Sequence, residues 1–242
     1  SRGLGDVYKR QKFFPGDEGK ILVDGVKKGM RLLVQGRLNM DRFYGDMVLE
    51  PVAVMAAEQH VRMDNAPEKR VELHLHTTMS SMDALTQVSP KAGPDKNVVK
   101  RAEAWGHRAI AITDHGVMYG VVDFYKACKA EGVKPIIGCE VYVAPRGRTR
   151  FQKVHEFDAA FSHLVLLCRN EEGYRNLSYM VSQAFLEGFY IKPRIDLDLL
   201  REHCGGLIAC SACLGGEVPK LLMAGDYEKA KEAALEMREL FG

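Results

Sequence analysis

The feature that most constrains the fold is an alternation of strand and helix patterns that begins at residue 71. Short apolar stretches recur between segments with helical periodicity. The predicted strands are 71–76, 108–113, 135–142, 163–168 and 206–211, and the predicted helices lie near 96–105, 119–131, 171–186, 196–203, 216–224 and 227–240. Such alternation predicts an α/β fold with a mostly parallel sheet, either open or closed into a (β/α) barrel.

Length and composition are those of an ordinary globular protein. The 242 residues suffice for a large domain with or without a smaller one. A formal net charge of +2 neither indicates nor excludes a nucleic-acid partner, because local patches matter more than the total. The six cysteines are scattered over the second half and do not predict a disulfide framework. The sequence contains no membrane-spanning apolar run and no signal peptide, so we expect no membrane partner and a cytoplasmic location.

The chain before the α/β region divides into three predicted segments. Residues 1–11 have no periodicity or capping pattern, and we expect a non-native or disordered tail. Residues 12–60 are predicted to be all-β. Residues 61–70 are polar, contain a proline and predict a linker to the α/β domain at 71–242.

The all-β segment predicts strands at 31–38 and 46–55, joined by a turn at residues 44–46. It is too short for a complete barrel and resembles part of an OB-fold. OB-folds often bind single-stranded nucleic acid through basic and aromatic residues on one face. The candidate contacts are Arg37, Arg42 and Tyr44. The alternative is that these side chains are ordinary hairpin surface.

The stretch RVELHLHTTMSSMD places His74 and His76 one residue apart, with Asp83 seven residues further on. In a strand, residues i and i+2 point to the same face, so a strand at 71–76 would present both imidazoles on one side. Two imidazoles and a carboxylate on one side suggest half of a metal site. A pair of surface histidines beside a turn is the alternative.

Later segments place further potential ligands at or near the ends of predicted strands. Asp114 and His115 follow the apolar run AIAIT, Glu140 lies within PIIGCEVYV, His163 begins a strand in FSHLVLL, and Cys213 follows IACSA. Functional residues of β/α barrels collect at strand ends and in the loops that follow them. Together with the first histidines they form a set of nitrogen, oxygen and sulfur donors suited to metal ions.

These motifs resemble the PHP (polymerase and histidinol phosphatase) family. The motifs are HLHTTMSSMD, ITDHG, IGCEVY, SHLVLL and SACLGG. They are most similar to the PHP domain of bacterial replicative DNA polymerase III α subunits, and the resemblance extends over about residues 20–242. The entry APEKRVELHLHTTMSSMDALT is similar to the PolC type, whereas GVMYGVVDFYKACKAEGVKPIIGCEVYVAP is similar to the DnaE type. The implied fold is a distorted (β/α) barrel preceded by a partial OB-like segment.

Two departures from the family pattern bear on this resemblance. PolC-type subunits usually carry an exonuclease domain after the strand that bears the glutamate, but here VAPRGRTRFQKVHEFDAAFSHLVLL runs straight on. The family pattern also ends with an Asp-x-His pair that does not occur after Cys213. We therefore expect an N-terminal fragment of a longer protein, with a barrel that is incomplete at its C-terminus and no polymerase catalytic residues.

The resemblance implies a cluster of two or three divalent ions, zinc or manganese. Carried over motif by motif, the ligands would be His74, His76, Asp83, His115, Glu140, His163 and Cys213. Asp114 would orient His115 or a neighbouring ligand. The implied activity is phosphodiester hydrolysis, as in 3′→5′ exonuclease proofreading, within a DNA-directed DNA polymerase whose own reaction uses magnesium. The implied partners are primer–template and single-stranded DNA, and replisome subunits such as the sliding clamp through regions absent from this sequence.

Basic residues in two later segments are further candidates for contacts with the DNA backbone. They are Arg146 and Arg148 in a predicted loop, and Lys192 and Arg194 in YIKPRID. For the loop, a mobile and solvated charge run is the alternative.

Two other functions remain open from the sequence. The barrel could be a catalytically silent module that supports the polymerase and its interactions. The chain could also be a free-standing phosphatase of the histidinol-phosphate kind, although the OB-like segment disfavours this.

Overall fold

The computed structural model describes residues 25–27, 30–40, 45, 47–57, 62–89, 91–93 and 96–242. The chain forms two compact units, Ser1–Met63 and Asp64–Gly242. The predicted tail at 1–11 lies outside the described residues, as do Arg42, Tyr44 and most of the predicted hairpin turn.

In the first unit, β1 (Leu32–Met40) and β2 (Met47–Ala56) pair antiparallel, which confirms the two strands predicted there. Their register shifts at Gly36, where an added Cβ would lie 2.3 Å from the carbonyl oxygen of Glu50. A glycine is therefore required for the strands to approach this closely. Arg37 lies on β1 and is exposed. The OB-like character of this hairpin stays a prediction.

The second unit alternates helices and strands. In chain order they are α1 (Val98–Ala104), β3 (Ala109–Ile112), α2 (Val121–Glu131), β4 (Lys134–Val143), α3 (His155–Asp158), β5 (Ser162–Cys168), α4 (Glu171–Leu186), β6 (Phe189–Tyr190), β7 (Lys192–Ile195), α5 (Leu197–Glu202), β8 (Leu207–Cys210), α6 (Glu217–Met223) and α7 (Tyr227–Phe241). The six predicted helices are confirmed. The side chains of Asn97, Asn170 and Asp196 accept hydrogen bonds at the first turns of three of them and so fix where these helices begin. No helix in the described part of the chain is long and apolar enough to cross a membrane.

The sheet is mixed, so the prediction of a mostly parallel sheet was wrong. Its strand order is β6-β7-β4-β5-β8, with β3 also paired to β4. The β3–β4 and β4–β7 pairs are parallel, whereas β4–β5, β5–β8 and β6–β7 are antiparallel. The connection between β4 and β5 contains only the four-residue α3 and no longer helix. After it the chain turns back, and β5 runs antiparallel to β4.

Residues 71–76 lie along β3 without forming the full strand that was predicted. Glu72 makes a parallel bridge with Ile110. The backbone N–H of Thr113 donates to the carbonyl oxygen of Leu75 at 2.8 Å. These bonds hold the segment that carries the first two histidines against the edge of the sheet.

Alternation along β4 places neighbouring side chains on opposite faces of the sheet. Cys139 and Val141 are buried in a cluster that includes Leu177 of α4. Glu140 points to the opposite face, as the period of two in a strand requires. There it lies opposite Val165 of β5, which belongs to a second apolar cluster. The sheet thus places one fully buried carboxylate beside an apolar side chain of the neighbouring strand.

Arg194 is fully buried, so the prediction that it contacts DNA was wrong. Its guanidinium donates to the carbonyl oxygens of Asp158 (2.7 Å), Gln152 (2.9 Å) and Gly188 (3.3 Å). These carbonyls belong to the β4–β5 connection and to the residue that precedes β6. Arg194 therefore ties the long connection to the sheet.

Arg146 and Arg148 are also engaged within the protein, which makes them poor candidates for DNA contacts. Arg146 forms ion pairs with Glu217 at 2.8 Å and with Glu236. Arg148 donates two hydrogen bonds of 2.7 Å to Asp158, and these bonds lower the pKa of Asp158 to about 2. The mobile, solvated loop that was the alternative is not observed either, because both guanidinium groups fix this connection to its surroundings.

We expect Arg194→Ala to lower the free energy of unfolding by about 3 kcal/mol or more, because it leaves several buried carbonyls without a donor. Urea denaturation followed by circular dichroism measures this change. Arg175→Ala is the matched control, since that side chain is 76% exposed in an i,i+4 ion pair, and its effect should stay within about 0.5 kcal/mol. Equal effects of the two substitutions would contradict the structural role of Arg194.

Candidate metal centre

Imidazoles from three separate segments surround the Glu140 carboxylate. His74 Nε2 lies 2.6 Å and His76 Nε2 lies 3.0 Å from its Oε2 atom. His163 Nδ1, at the start of β5, lies 2.6 Å from its Oε1 atom. Glu140 itself has no solvent exposure, whereas the histidines are partly exposed. One buried carboxylate thus joins the segment before β3 to the two central strands.

His115 lies beside this group and extends it toward Asp83. Its Nε2 atom is 2.9 Å from Asp83 Oδ2, and its Nδ1 atom is 3.4 Å from Glu140 Oε2. Its ring stacks on that of His76, with centroids 4.1 Å apart. A parallel bridge between His115 and Glu140 fixes the position of this loop relative to β4.

The close contacts among these groups shift the pKa values of Glu140, His76 and His115. Burial alone would raise the pKa of Glu140, but hydrogen bonds from His163, His76 and His74 outweigh it and hold the pKa well below its ordinary value. Burial would lower the pKa of His76, yet its hydrogen bond to Glu140 raises it. Burial and the neighbouring His76 lower the pKa of His115. These contacts therefore favour the ionised form of Glu140 among imidazoles of unequal basicity.

Asp114 fixes the loop between His76 and Asp83. Its carboxylate accepts hydrogen bonds from the Thr77 backbone N–H (2.6 Å), the Thr77 hydroxyl (2.8 Å) and the Ser80 hydroxyl (2.6 Å). The Ser80 hydroxyl oxygen accepts in turn from the His115 backbone N–H at 3.1 Å. Asp114 thus acts on the loop between His76 and Asp83 and not directly on the imidazole of His115.

Cys213 stands at the margin of the centre. Its sulfur lies 3.8 Å from Glu140 Oε1 and 3.7 Å from His163 Nδ1. It accepts a hydrogen bond from the Gly215 backbone N–H at 3.3 Å. A further parallel bridge joins His163 to Gly216 and keeps the loop after β8 beside β5.

The donor set forms three overlapping groups, and within each group the donor atoms lie within 4.8 Å of one another. The groups are His74, His76 and Glu140; His76, Asp83 and His115; and His115, Glu140 and His163. Six of the seven predicted ligands occur in them, and Cys213 is the seventh.

Two further observations fit metal ions at this centre. The buried Nδ1 atoms of His76 and His115 have no hydrogen-bond partner among the described residues, which is costly for buried polar atoms. The Nε2 atoms of His74 and His76 already lie within 3.0 Å of Glu140 Oε2, an oxygen with lone pairs for two N–H donors, and the unpaired His115 Nδ1 lies 3.4 Å from it. Divalent ions between these donors would use lone pairs that hydrogen bonds cannot satisfy together.

An open cleft of about 540 Å³ leads to this group, with Asp83, His115 and His163 among its lining residues. Lys192 lies on its wall, with Nζ 5.4 Å from the centroid of the Tyr142 ring. Of the four basic residues predicted for DNA contacts in the second unit, Lys192 is therefore the one that lines this cleft.

Sequence reasoning missed the residues that support the ligands. Thr77 and Ser80 are both buried and both bind the Asp114 carboxylate. Their hydroxyls lie within HLHTTMSSMD, and the density of hydroxyl residues in that stretch was the available signal. Tyr142 was also missed, because nothing in the pattern of β4 shows that its ring packs near His163.

The model of the PHP domain family matches residues 72–242. The chain therefore belongs to the PHP domain family, which confirms the resemblance found in its motifs. Its curated relatives include a DNA polymerase III subunit alpha of Treponema pallidum, 44% identical over 172 residues that make up 71% of this chain. The same subunit of Chlamydia pneumoniae is 48% identical over 148 residues, or 61% of this chain.

The matched region is a small part of those relatives. It spans 14% of the Treponema pallidum protein and 11% of the Chlamydia pneumoniae protein. Among solved structures, a putative metal-dependent phosphoesterase from Bifidobacterium adolescentis matches 69% of this chain and 54% of its own, at 13% identity and a TM-score of 0.30. A likeness this low carries no argument about the fold.

We expect Asp114→Asn to weaken zinc binding about 10- to 100-fold, because an amide nitrogen cannot accept the hydrogen bonds that fix the loop between His76 and Asp83. Competition with a chromogenic chelator measures the affinity. Asp198→Asn is the matched control, since Asp198 is 68% exposed in an i,i+3 pair with Arg201. Unchanged zinc affinity in Asp114→Asn would show that this loop is held by other contacts.

Proposed function

We propose that this chain carries a multinuclear metal centre that hydrolyses phosphodiesters, within a protein of the DNA polymerase III α type. The observation that carries the proposal is the Glu140 carboxylate, fully buried and approached by the imidazoles of His74, His76, His115 and His163. Membership of the PHP family and the names of the curated relatives support the setting.

The candidate ligands would hold up to three metal ions. His74, His76 and Glu140 would hold one ion, His76, Asp83 and His115 a second, and His115, Glu140 and His163 a third with Cys213 beside it. The mixture of imidazole, carboxylate and thiolate donors suits zinc or manganese. Such ions, when bound, polarise a phosphodiester and lower the pKa of a bound water to about 7.

The chain's own residues would perform the remaining tasks. Glu140 would bridge two ions and supply the negative charge that offsets theirs. Asp114 would keep His76 and Asp83 at a fixed separation through its bonds to the intervening loop. The cleft would admit the substrate from the side of Asp83 and Lys192.

The larger setting follows from the relatives and is part of the proposal. The second unit would be a distorted PHP barrel, and the hairpin of the first unit would belong to an OB-like segment that contacts single-stranded DNA through residues such as Arg37. The hydrolytic activity would serve 3′→5′ proofreading. The parent protein would be a cytoplasmic polymerase that uses magnesium, binds primer–template DNA and meets the sliding clamp through other regions.

Elemental analysis of the purified chain tests the proposal directly. We expect about two or three equivalents of zinc or manganese in the wild type. Glu140→Gln should lose at least one equivalent, because an amide cannot replace a bridging carboxylate. The double variant His74→Ala, His76→Ala should lose more. His155→Ala is the control, since His155 is exposed and its Nδ1 atom contacts Tyr190, outside the centre.

Hydrolysis of a 5′-labelled single-stranded oligonucleotide provides the second readout. The wild type should shorten it from the 3′ end, and Glu140→Gln should reduce the rate at least about 100-fold. Metal-free wild-type protein that folds normally, with no hydrolysis after addition of zinc or manganese, would contradict the proposal and favour a structural module.

A further inference from the structure

Unusual backbone conformations mark three positions beside the centre. Among the described residues, three that are not glycine have a positive φ angle: Met82 (65°), Ile191 (63°) and Ala212 (61°). Two of them immediately precede the candidate ligands Asp83 and Cys213. The third, a β-branched residue for which this conformation is a genuine outlier, immediately precedes Lys192. Such conformations persist where the surrounding structure holds them, and they cluster at functional sites.

Lys192, like Asp83 and Cys213, thus follows a residue with a positive φ angle. Its ammonium group, unlike their side chains, cannot bind a metal cation. It is exposed at the start of β7, and no carboxylate of the described residues forms an ion pair with it. By contrast, Arg146, Arg148 and Arg150 of the β4–β5 connection all have carboxylate partners. Of these four cations, Lys192 is the one left for an anion in the cleft.

Tyr119 gives the cleft a surface for an apolar or aromatic group. It lines the same cleft, and 69% of its surface is exposed. Its backbone is nevertheless fixed. Val117 is buried, and a Cβ on Gly120 would lie 3.1 Å from Ile112 Cδ1. Met118 packs against the apolar cluster that contains Leu177 and against another that contains Ile112. An exposed aromatic ring on a fixed backbone can stack on a planar ligand with little further ordering.

We propose that Lys192 and Tyr119 form a subsite for the terminal nucleotide of a single strand, with Lys192 on its phosphate and Tyr119 stacked on its base. This rests on the proposed function, because the phosphate must lie beside Asp83, His115 and His163 in the same cleft. The cleft volume of about 540 Å³ is within the range of small-ligand sites. Stacking on a single aromatic ring accepts any base, so the subsite recognises a strand end without reading sequence.

The test compares two short oligothymidylates that differ only in a 3′-terminal abasic residue, bound to the 242-residue chain and followed by fluorescence anisotropy at fixed salt. Tyr119→Ala should weaken binding of the natural strand about tenfold and leave the abasic strand unchanged. Lys192→Ala should weaken both strands, while Tyr119→Phe and Lys192→Arg should bind as the wild type does. Tyr227→Ala and Lys231→Ala on α7 are the matched controls, because both are exposed and neither lines the cleft.

Metal content, measured on the same preparations, separates this inference from the proposed function. Tyr119→Ala and Lys192→Ala should keep the wild-type metal content, since neither is a ligand. Wild-type affinities for both strands in these variants, with hydrolysis intact, would overturn the subsite and leave the metal centre standing. Equal losses in Lys192→Ala and Lys231→Ala, or no binding by the wild type, would also overturn it. The expected pattern in a chain that holds no metal would support the subsite and refute the metal centre.

Discussion

The burial of Glu140 is the constraint on which the rest of the centre depends. An ionised carboxylate removed from water is costly unless it is paired and hydrogen-bonded. Its neighbours on β4, Cys139 and Val141, lie in the apolar core on one face of the sheet, and Glu140 is fully buried on the other. The compensation comes from imidazoles that reach it from the segment before β3, the loop after β3 and the start of β5. Three chain segments are therefore positioned around one side chain of β4.

Hydrogen bonds and single β-bridges fix the spacing of these segments. Asp114 binds backbone and hydroxyl groups of the loop between His76 and Asp83, so that two donors are spaced by hydrogen bonds rather than by the sheet. Parallel bridges at His115 and His163 connect the loops to the neighbouring strands. The candidate ligands and the residues that hold them apart are thus different. Of the second kind, the motifs indicated Asp114 but not its partners Thr77 and Ser80.

Sequence reasoning predicted the helices well because their caps and periodicity are local. It predicted the candidate ligands because they recur at predicted strand ends, and six of the seven fall into groups of converging donors. It failed on strand direction, since the direction of β5 depends on a connection whose length and short helix do not fix it. It could not predict that Lys192 is exposed and Arg194 buried, because the two residues are two positions apart and alike in charge. The carbonyls that bind Arg194 come from distant parts of the chain.

The most direct test of the metal centre is a crystal structure of the chain grown with zinc or manganese, with anomalous scattering recorded on both sides of the metal absorption edge. We predict two or three anomalous peaks in contact with the imidazoles of His74, His76, His115 and His163, with at least one about 2.0–2.2 Å from a Glu140 carboxylate oxygen. A well-ordered Glu140 hydrogen-bonded only to imidazoles, with no anomalous peak beside it at saturating metal, would contradict the account.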